Sequence, residues 1–498
     1  MEGSIETTIF KTALTVKPSF VDSEEHDLYH SRVTSYVIVS TMGEEAKEVS
    51  RKDVVVSKPS GDDIPTHLSA KALDFTGLIA DTDYSVKLVI SSKGRQKTLA
   101  TKELKTLSTG ESEEDPILVD SLDMLLGMNK TKDAYYKLTK DIDCGGELSS
   151  IFNSSSYFSG TLDGDGHKIY NFKMDSNQYT GLFGYMTGAT VKNLVLEDVS
   201  YSSTRSNTYL GALAGYAKRC VIENVVVRNL TLSHSGQTSS YAYIGGLIGQ
   251  AVNCTIKDCS VQNLNFEAPL VRLKMYIGGF VGENKNSSID QCRVDGTIKA
   301  TVSYTSNKDG CLYLGGFSGV NDSNLGITRS YAKVDITTTE SSTTLSSSGR
   351  ETFKLRVGGF NGGNINDASR FENCASIGDI SVTSTSAYFV YIGGFGGYTD
   401  DQNISTYTTC VYVPKEKGLS VQLAEKPKEE DKKIEQTAFV SLAIGKIGDK
   451  NGSSIHTIVY EDKLVIENEH ENLTKTPYVL SKDLELFTEE IRNLILTQ

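Results

Sequence analysis

The residue types that could do chemistry are spread thinly along this chain. The densest carboxylate group is Asp163-Gly164-Asp165-Gly166-His167, which could offer oxygens to Ca²⁺ or open a sugar-cleaving site. An EF-hand would need a Glu twelve positions from Asp163, and none stands there. Asp-Gly pairs also make tight turns between strands, and the segment is read as such a turn. His26-Asp27-Leu28-Tyr29-His30 would bring two imidazoles together on a helical turn, but its neighbours predict a loop. His470-Glu471-Asn472-Leu473-Thr474 begins an HExxH zinc site and lacks the second His. Neither a GxSxG elbow nor a phosphate-binding P-loop occurs. The cysteines Cys144, Cys220, Cys254, Cys259, Cys292, Cys311, Cys374 and Cys410 form no CxxC pair, so no zinc site is expected. Catalytic residues, metals and cofactors are therefore all expected to be none.

The elements around these residues are set by a repeat. An aromatic-aliphatic-Gly-Gly-apolar-x-Gly motif appears at Tyr179-Thr180-Gly181-Leu182-Phe183-Gly184 and Tyr209-Leu210-Gly211-Ala212-Leu213-Ala214-Gly215. It returns at Tyr243-Ile244-Gly245-Gly246-Leu247-Ile248-Gly249 and Tyr276-Ile277-Gly278-Gly279-Phe280-Val281-Gly282. Copies at 313–319, 356–362 and 391–397 complete the set, with 30 to 43 residues between starts. Periods of this size indicate a solenoid or array. Each motif is followed by an apolar-polar-polar-apolar-x-apolar run, such as Thr190-Val191-Lys192-Asn193-Leu194-Val195-Leu196 and Val221-Ile222-Glu223-Asn224-Val225-Val226-Val227. Later copies are Thr255 to Val261 and Ser288 to Val294. Period-2 alternation predicts strands with one buried face. One unit cannot bury that face alone, whereas stacking copies about 4.8 Å apart buries it and pairs the backbone.

That stacking predicts a parallel β-helix with glycines where the coil bends and neighbouring turns crowd. Asn193, Asn224, Asp258, Gln291 and Asn373 fall at one position, as a polar turn stack requires. Cys259, Cys292, Cys374 and Cys410 share one inward position with Leu194 and Val225, and Cys220 and Cys254 share another. Reduced core packing explains them better than disulfides or metal binding.

The repeats resemble the GLUG family, most clearly at Gly181-Leu182-Phe183-Gly184, Gly246-Leu247-Ile248-Gly249 and Gly279-Phe280-Val281-Gly282. Tyr135 to Asp143 and Phe158 to Ile169 look like the lead-in to such arrays. The resemblance spans roughly Pro116 to Val413. It implies a right-handed β-helix on a bacterial surface protein, a group that includes adhesin-like proteins and some surface peptidases.

The flanks differ. Up to Thr109, alternating runs such as Ser35 to Ser40 and Tyr84 to Ile90 between turn clusters predict a β-sandwich. Phe75 to Tyr84 looks like a fibronectin type III corner, where Tyr84 would bond back to the loop. The usual Pro and core Trp are missing. The expected organisation is a sandwich at 1–109, a linker at 110–116, and a β-helix at 117–498 with short capping helices. One cap is expected at Asp120 to Leu126 and another after Ser481, with Leu484, Phe487, Ile491 and Leu494 on one face. The charged run Lys415 to Glu435 reads as a solvated loop, and 336–350 as a protruding Ser/Thr-rich insertion. Ala438 to Gly445 and Ser453 to Tyr460 read as a degenerate last repeat. Asn153, Asn229, Asn286 and Asn403 begin glycosylation sequons that a bacterial source would leave unmodified.

A net charge of −13 and a pI near 5.2 argue against a nucleic-acid partner. No stretch is apolar enough to cross a membrane. Met1 to Glu6 lacks the marks of a signal peptide, which leaves a cytoplasmic chain or the mature part of an exported one. The resemblance favours an extracellular or cell-surface location. The function expected from it is non-catalytic and adhesin-like, with host glycoprotein, extracellular matrix or polysaccharide as ligand. The alternatives are a polysaccharide-active β-helix enzyme and a structural assembly subunit. Such an enzyme would need acidic residues and a cation converging on one face across turns. The in-register polar positions seen here are mostly Asn, Gln and Thr.

Overall fold

In the computed structural model the described residues are 2–9, 13–21, 33–42, 46–55, 67–79, 82–106, 110–174, 177–203, 208–234, 237–303, 310–341, 353–365, 368–385, 389–399, 405–423, 437–446, 454–459, 464–467, 473–475, 479–480, 489 and 492. The chain divides into two compact units, 1–140 and 141–498.

The first unit is a β-sandwich. Glu2–Ile9 pairs antiparallel with Ala13–Val21, which also pairs with His67–Ser69 and Leu73–Thr76. The facing sheet runs in the order Glu48–Asp53, Val33–Thr41, Asp83–Ser92, Arg95–Lys105. Alternate residues Leu14, Val16, Val37, Val39, Val86 and Leu88 fill the space between with Phe20 and Phe75. The last hairpin turns on Lys93 and Gly94, both at positive φ as a tight two-residue turn requires. Tyr84 is buried, and its hydroxyl accepts a hydrogen bond from the Ile79 N–H at 2.9 Å. The sequence places such a bond at this corner. Thr106 Oγ1 donates to the Ile79 carbonyl at 2.6 Å and accepts from Thr82 N–H at 2.9 Å, closing the same corner.

A short helix, Leu122–Gly127, stands where one is expected, but Ser121 makes no side-chain cap. Asp123 in its first turn accepts from Thr8 and Lys17, each at 3.2 Å. Ile117–Val119 pairs in parallel with Tyr135–Leu138.

The second unit is the predicted parallel β-helix, with three sheets. The first contains strands such as Thr190–Ser203 and Val221–His234, joined in register from Thr190↔Val221 to Ser203↔His234. The second contains Thr208–Leu210, the latter part of Gln237–Gly245, and Gly310–Gly315. The third has eight strands, one per turn of the coil, and they number the turns here. In order they are Tyr185–Thr187, Ala214–Lys218, Ile248–Val252, Val281–Lys285, Ser318–Asp322, Asn361–Gly363, Gly396–Tyr398 and Ile444–Lys446. In turn four a single strand, Ser260–Gly278, runs through the first sheet into the second.

Inside the coil like stacks on like. Phe280, Phe317, Phe360 and Phe395 form one column with ring centroids 4.7, 4.8 and 4.9 Å apart. Each ring is fully buried, which is worth about 1.5–3 kcal/mol of transfer free energy apiece. The glycines between the second and third sheets are needed for closeness. A Cβ on Gly245 would collide with the Ile248 carbonyl oxygen, and one on Gly278 with that of Val281.

The polar turn stack is present and larger than expected. Asn193, Asn224, Asp258, Gln291, Arg329, Asn373 and Thr409 all adopt φ between 46° and 54°. Asn224 Nδ2 donates to Asn193 Oδ1 at 3.0 Å, and Asn193 Nδ2 to Asp163 Oδ1 at 3.0 Å. A second stack, unread from sequence, contains Asp198, Asn229 and Asn263, linked by amide bonds of 2.8 and 3.0 Å.

The last repeat continues the sheets, with Thr437–Ser441 pairing in register with Phe389–Gly393 and Ser454–Val459 pairing with Ser405–Val413 across a register shift between Tyr407 and Cys410. The loop expected from Lys415 to Glu435 needs correction at its start. Leu419–Gln422 is a strand in register with Ile380–Ser384, and Leu419 and Val421 are fully buried. Lys415 Nζ holds Asp335 at 2.9 Å, and Asp379 accepts the Lys417 and Gly418 N–H groups. Residues 424–435 lie outside the described residues. So does the C-terminal helix expected from Ser481, apart from Glu489 and Arg492, which are helical. No described helix is long and apolar enough to cross a membrane.

Candidate functional site: a tyrosine-lined groove

The clusters singled out from sequence come first. Asp163 to His167 is a turn joining Thr161–Asp163 to Lys168–Met174. Asp163 Oδ1 accepts the Asp165 N–H at 2.9 Å as well as the Asn193 amide, and His167 Nδ1 lies 3.1 Å from Asp141 Oδ1. The Lys168 N–H, donated to Asp141, holds that carboxyl below its usual range, with His167 adding to the effect. His26, His30 and His470 to Asn472 lie outside the described residues, as do 342–350 of the Ser/Thr-rich stretch. Among the described residues no group of three or more His, Cys, Asp and Glu side chains could hold a metal ion.

All eight cysteines are buried thiols, and none is in a disulfide. Their columns are hydrogen-bonded as well as packed. Cys259 N–H donates to Cys292 Sγ at 3.4 Å, and Cys292 N–H to Ser330 Oγ at 3.0 Å. In the neighbouring column Cys220 N–H donates to Cys254 Sγ at 3.4 Å, and Cys254 N–H to Ser287 Oγ at 2.9 Å.

The most extended aromatic surface feature is built from the first residue of each glycine motif and the residue just after its last glycine. On the second sheet, Leu210, Ile244, Ile277 and Leu314 are buried in the coil interior. Their neighbours Tyr209, Tyr243, Tyr276 and Tyr313 point the other way, because side chains alternate along a strand. On the third sheet the outward position is Tyr185, Tyr216, Gln250, Glu283, Val320, Gly363 and Tyr398 in successive turns. The motif glycines bend the chain so tightly that these two outer faces meet. Tyr179 and Tyr185 pack edge to face at 4.9 Å, and Tyr209 and Tyr216 at 6.0 Å. The result is a groove running along the coil.

One wall is a continuous stack. Tyr179, Tyr209, Tyr243, Tyr276 and Tyr313 lie ring on ring at 4.9, 4.8, 4.9 and 5.4 Å. Arg356 takes the next place, its guanidinium 4.4 Å from the Tyr313 and Tyr398 ring centres and 5.3 Å from Tyr391. Because each ring face covers the next, the stack presents ring edges and hydroxyls to the outside. Tyr185 and Tyr216 stack in the same way on the opposite wall, at 4.6 Å.

The groove has an open and a covered half. Tyr179, Tyr185, Tyr209, Tyr216, Tyr243 and Gln250 are partly exposed. From turn four to turn six it is covered. Tyr276, Cys311, Tyr313 and Val320 form a buried cluster on which Ile365 packs, and Ile365 N–H is held by Asp322 Oδ1 at 2.8 Å. Glu283 marks the boundary. It is only 6% exposed, and Gln250 Nε2 donates to its carboxylate. Burial pushes its carboxyl up to about 7, with the Gln250 bond opposing and Asp322 assisting. Burial likewise pushes the Tyr209 and Tyr216 phenols up to about 12. They are therefore neutral hydroxyls that donate and accept.

A parallel β-helix with a side-chain-lined groove is a scaffold class, and comparison with known proteins narrows it. The GLUG motif matches residues 240–266 and 275–299, the segments of turns three to five that carry the groove tyrosines Tyr243 and Tyr276. Halomucin of Haloquadratum walsbyi is 31% identical over 137 residues, covering 24% of this chain and 1% of halomucin. The chain thus spans about 1% of that relative's length. Among solved structures, an IgA1 protease aligns with TM-score 0.38 and 17% identity, over 78% of this chain and 28% of that one. A family 28 exopolygalacturonase of Yersinia enterocolitica aligns with TM-score 0.19 and 8% identity, over 97% and 98%. At those TM-scores neither neighbour bears on what this chain does.

Proposed function

We propose that this chain is a non-catalytic binding protein of the bacterial cell surface, adhesin-like, whose β-helix groove holds a hydroxyl-rich ligand of the glycan or glycoprotein kind. The observation that carries the reading is the open tyrosine groove. It is a partly exposed row of neutral hydroxyls repeating with the turns of a rigid scaffold. Aromatic residues with polar tips are suited to such surfaces, because they bring contact area and hydrogen bonds at little conformational cost. The sandwich at the N-terminus is read as a fibronectin type III module, supported by its strand order and by the Tyr84 corner bond. The test is retention of the purified chain on immobilised polysaccharides and matrix glycoproteins. At least one ligand should be retained, and Tyr209→Ala combined with Tyr243→Ala should weaken it at least tenfold while the far-UV circular dichroism stays unchanged. Retention of nothing, or equal retention of the double variant, would overturn the proposal.

A further inference from the structure

Resting on that reading of the groove, we infer that its open half, turns one to three, takes a neutral polysaccharide laid along the coil axis. The backbone on both walls is already paired between turns. Tyr209 pairs with Tyr179 and Tyr243, and Tyr216 with Tyr185 and Gln250. A peptide strand finds no free sheet edge there, so the peptide-adding mode that depends on main-chain bonds is closed. Among the described residues a ligand there would be held by side chains, chiefly Tyr179, Tyr185, Tyr209, Tyr216, Tyr243 and Gln250.

Their chemistry selects the partner. These groups are uncharged donor-acceptors, repeating every turn at the strand spacing of about 4.8 Å. A partner that fits must carry uncharged hydroxyls at a comparable repeat along an extended chain, as a hexose polymer does. The ring edges, with the exposed face of Tyr241 beside Tyr243, supply apolar contact to the C–H faces of such sugars. Lysines stand at the margins: Lys218 and Lys285 lie two residues beyond the groove positions, and Lys274 sits over Tyr241. The net charge of −13 disfavours an acidic polymer.

The experiment is affinity electrophoresis and calorimetry of the full chain with soluble β-glucan, mannan and xylan, and with polygalacturonate. Tyr216→Ala and Gln250→Ala serve as groove variants, and Lys354→Ala, on the outer face of turn six, as a control. At least one neutral polymer should bind at least tenfold more tightly than polygalacturonate. Each groove variant should lose at least fivefold, with the control unchanged. Tighter binding of polygalacturonate would overturn this inference while leaving a ligand-binding groove. Binding of peptides or glycoproteins but no free polysaccharide would do the same. Neutral polymer binding that ignores both groove variants would overturn the siting. Failure of every ligand, including the matrix glycoproteins, would instead remove the parent reading.

Discussion

Thr409 sits at φ +52°, in the column where lower turns carry Asn193, Asn224, Asp258, Gln291, Arg329 and Asn373. Asn and Asp tolerate this left-handed backbone because their short polar side chains bond locally, whereas a β-branched residue is strained by about 1 kcal/mol or more. Thr409→Asn should therefore stabilise the chain by about 1 kcal/mol, read as an upward shift in denaturant midpoint. A lower midpoint would mean that Thr409 makes compensating contacts. Glu283 gives a pH-dependent counterpart. Its folded carboxyl is raised from 4.5 to about 7, so its ionised form is disfavoured in the fold. The stability this group contributes is complete below pH 4.5 and is lost as pH climbs through about 7. Glu283→Gln should flatten that decline and leave the variant about 3 kcal/mol more stable at pH 8, with little difference at pH 4. Parallel stability profiles for the two proteins between pH 4 and 8 would show that Glu283 is not the titrating group.

At the scale of elements, the repeat positions were legible wherever chemistry depends on a single residue and its place in the turn. The left-handed turn selects Asn and Asp, and close backbone approach selects Gly, so both columns stand out in the sequence. The cysteine column was legible as buried but not as hydrogen-bonded. Ser330 interrupts it between Cys292 and Cys374 and accepts the Cys292 N–H, so in this turn a hydroxyl takes the sulfur's part at a position that Leu194 and Val225 fill without an acceptor in lower turns. Cys292→Ser should accordingly cost little. Cys292→Ala leaves the Cys259 N–H without its acceptor and should cost about 1–3 kcal/mol in the same denaturation assay. Equal costs would reduce the column to packing alone. The groove was not legible. Alternation says which residues face outward from one strand, but the meeting of two outward faces depends on the angle of the glycine bend. The partner positions Gln250, Glu283, Val320 and Gly363 also share no residue type that would mark them as a series. Arg356 opens its motif copy where the others carry an aromatic residue, and nothing in the sequence marks it as continuing the tyrosine stack. The course of the Lys415 segment was hidden for a related reason, because Asp335 and Asp379, which hold it, come from earlier turns.

At the scale of the whole second unit, strands pair with those of adjacent turns, so stability is a sum of local stacking terms. Phe317 joins the Phe280 and Phe360 rings, and Phe317→Ala should cost about 3–5 kcal/mol. The loss should be local. Hydrogen exchange should accelerate in turns four to six, while turns one and two keep their protection. Uniform loss along the chain would mean a single cooperative block. The tyrosine stack has an optical consequence too. The chain has 25 Tyr and no Trp, so phenols dominate its ultraviolet emission. Rings held about 5 Å apart in a nearly parallel file will exchange excitation along the coil. The stack is in effect a built-in antenna, whose near-ultraviolet signal should change, without any added label, with anything that reorients its rings.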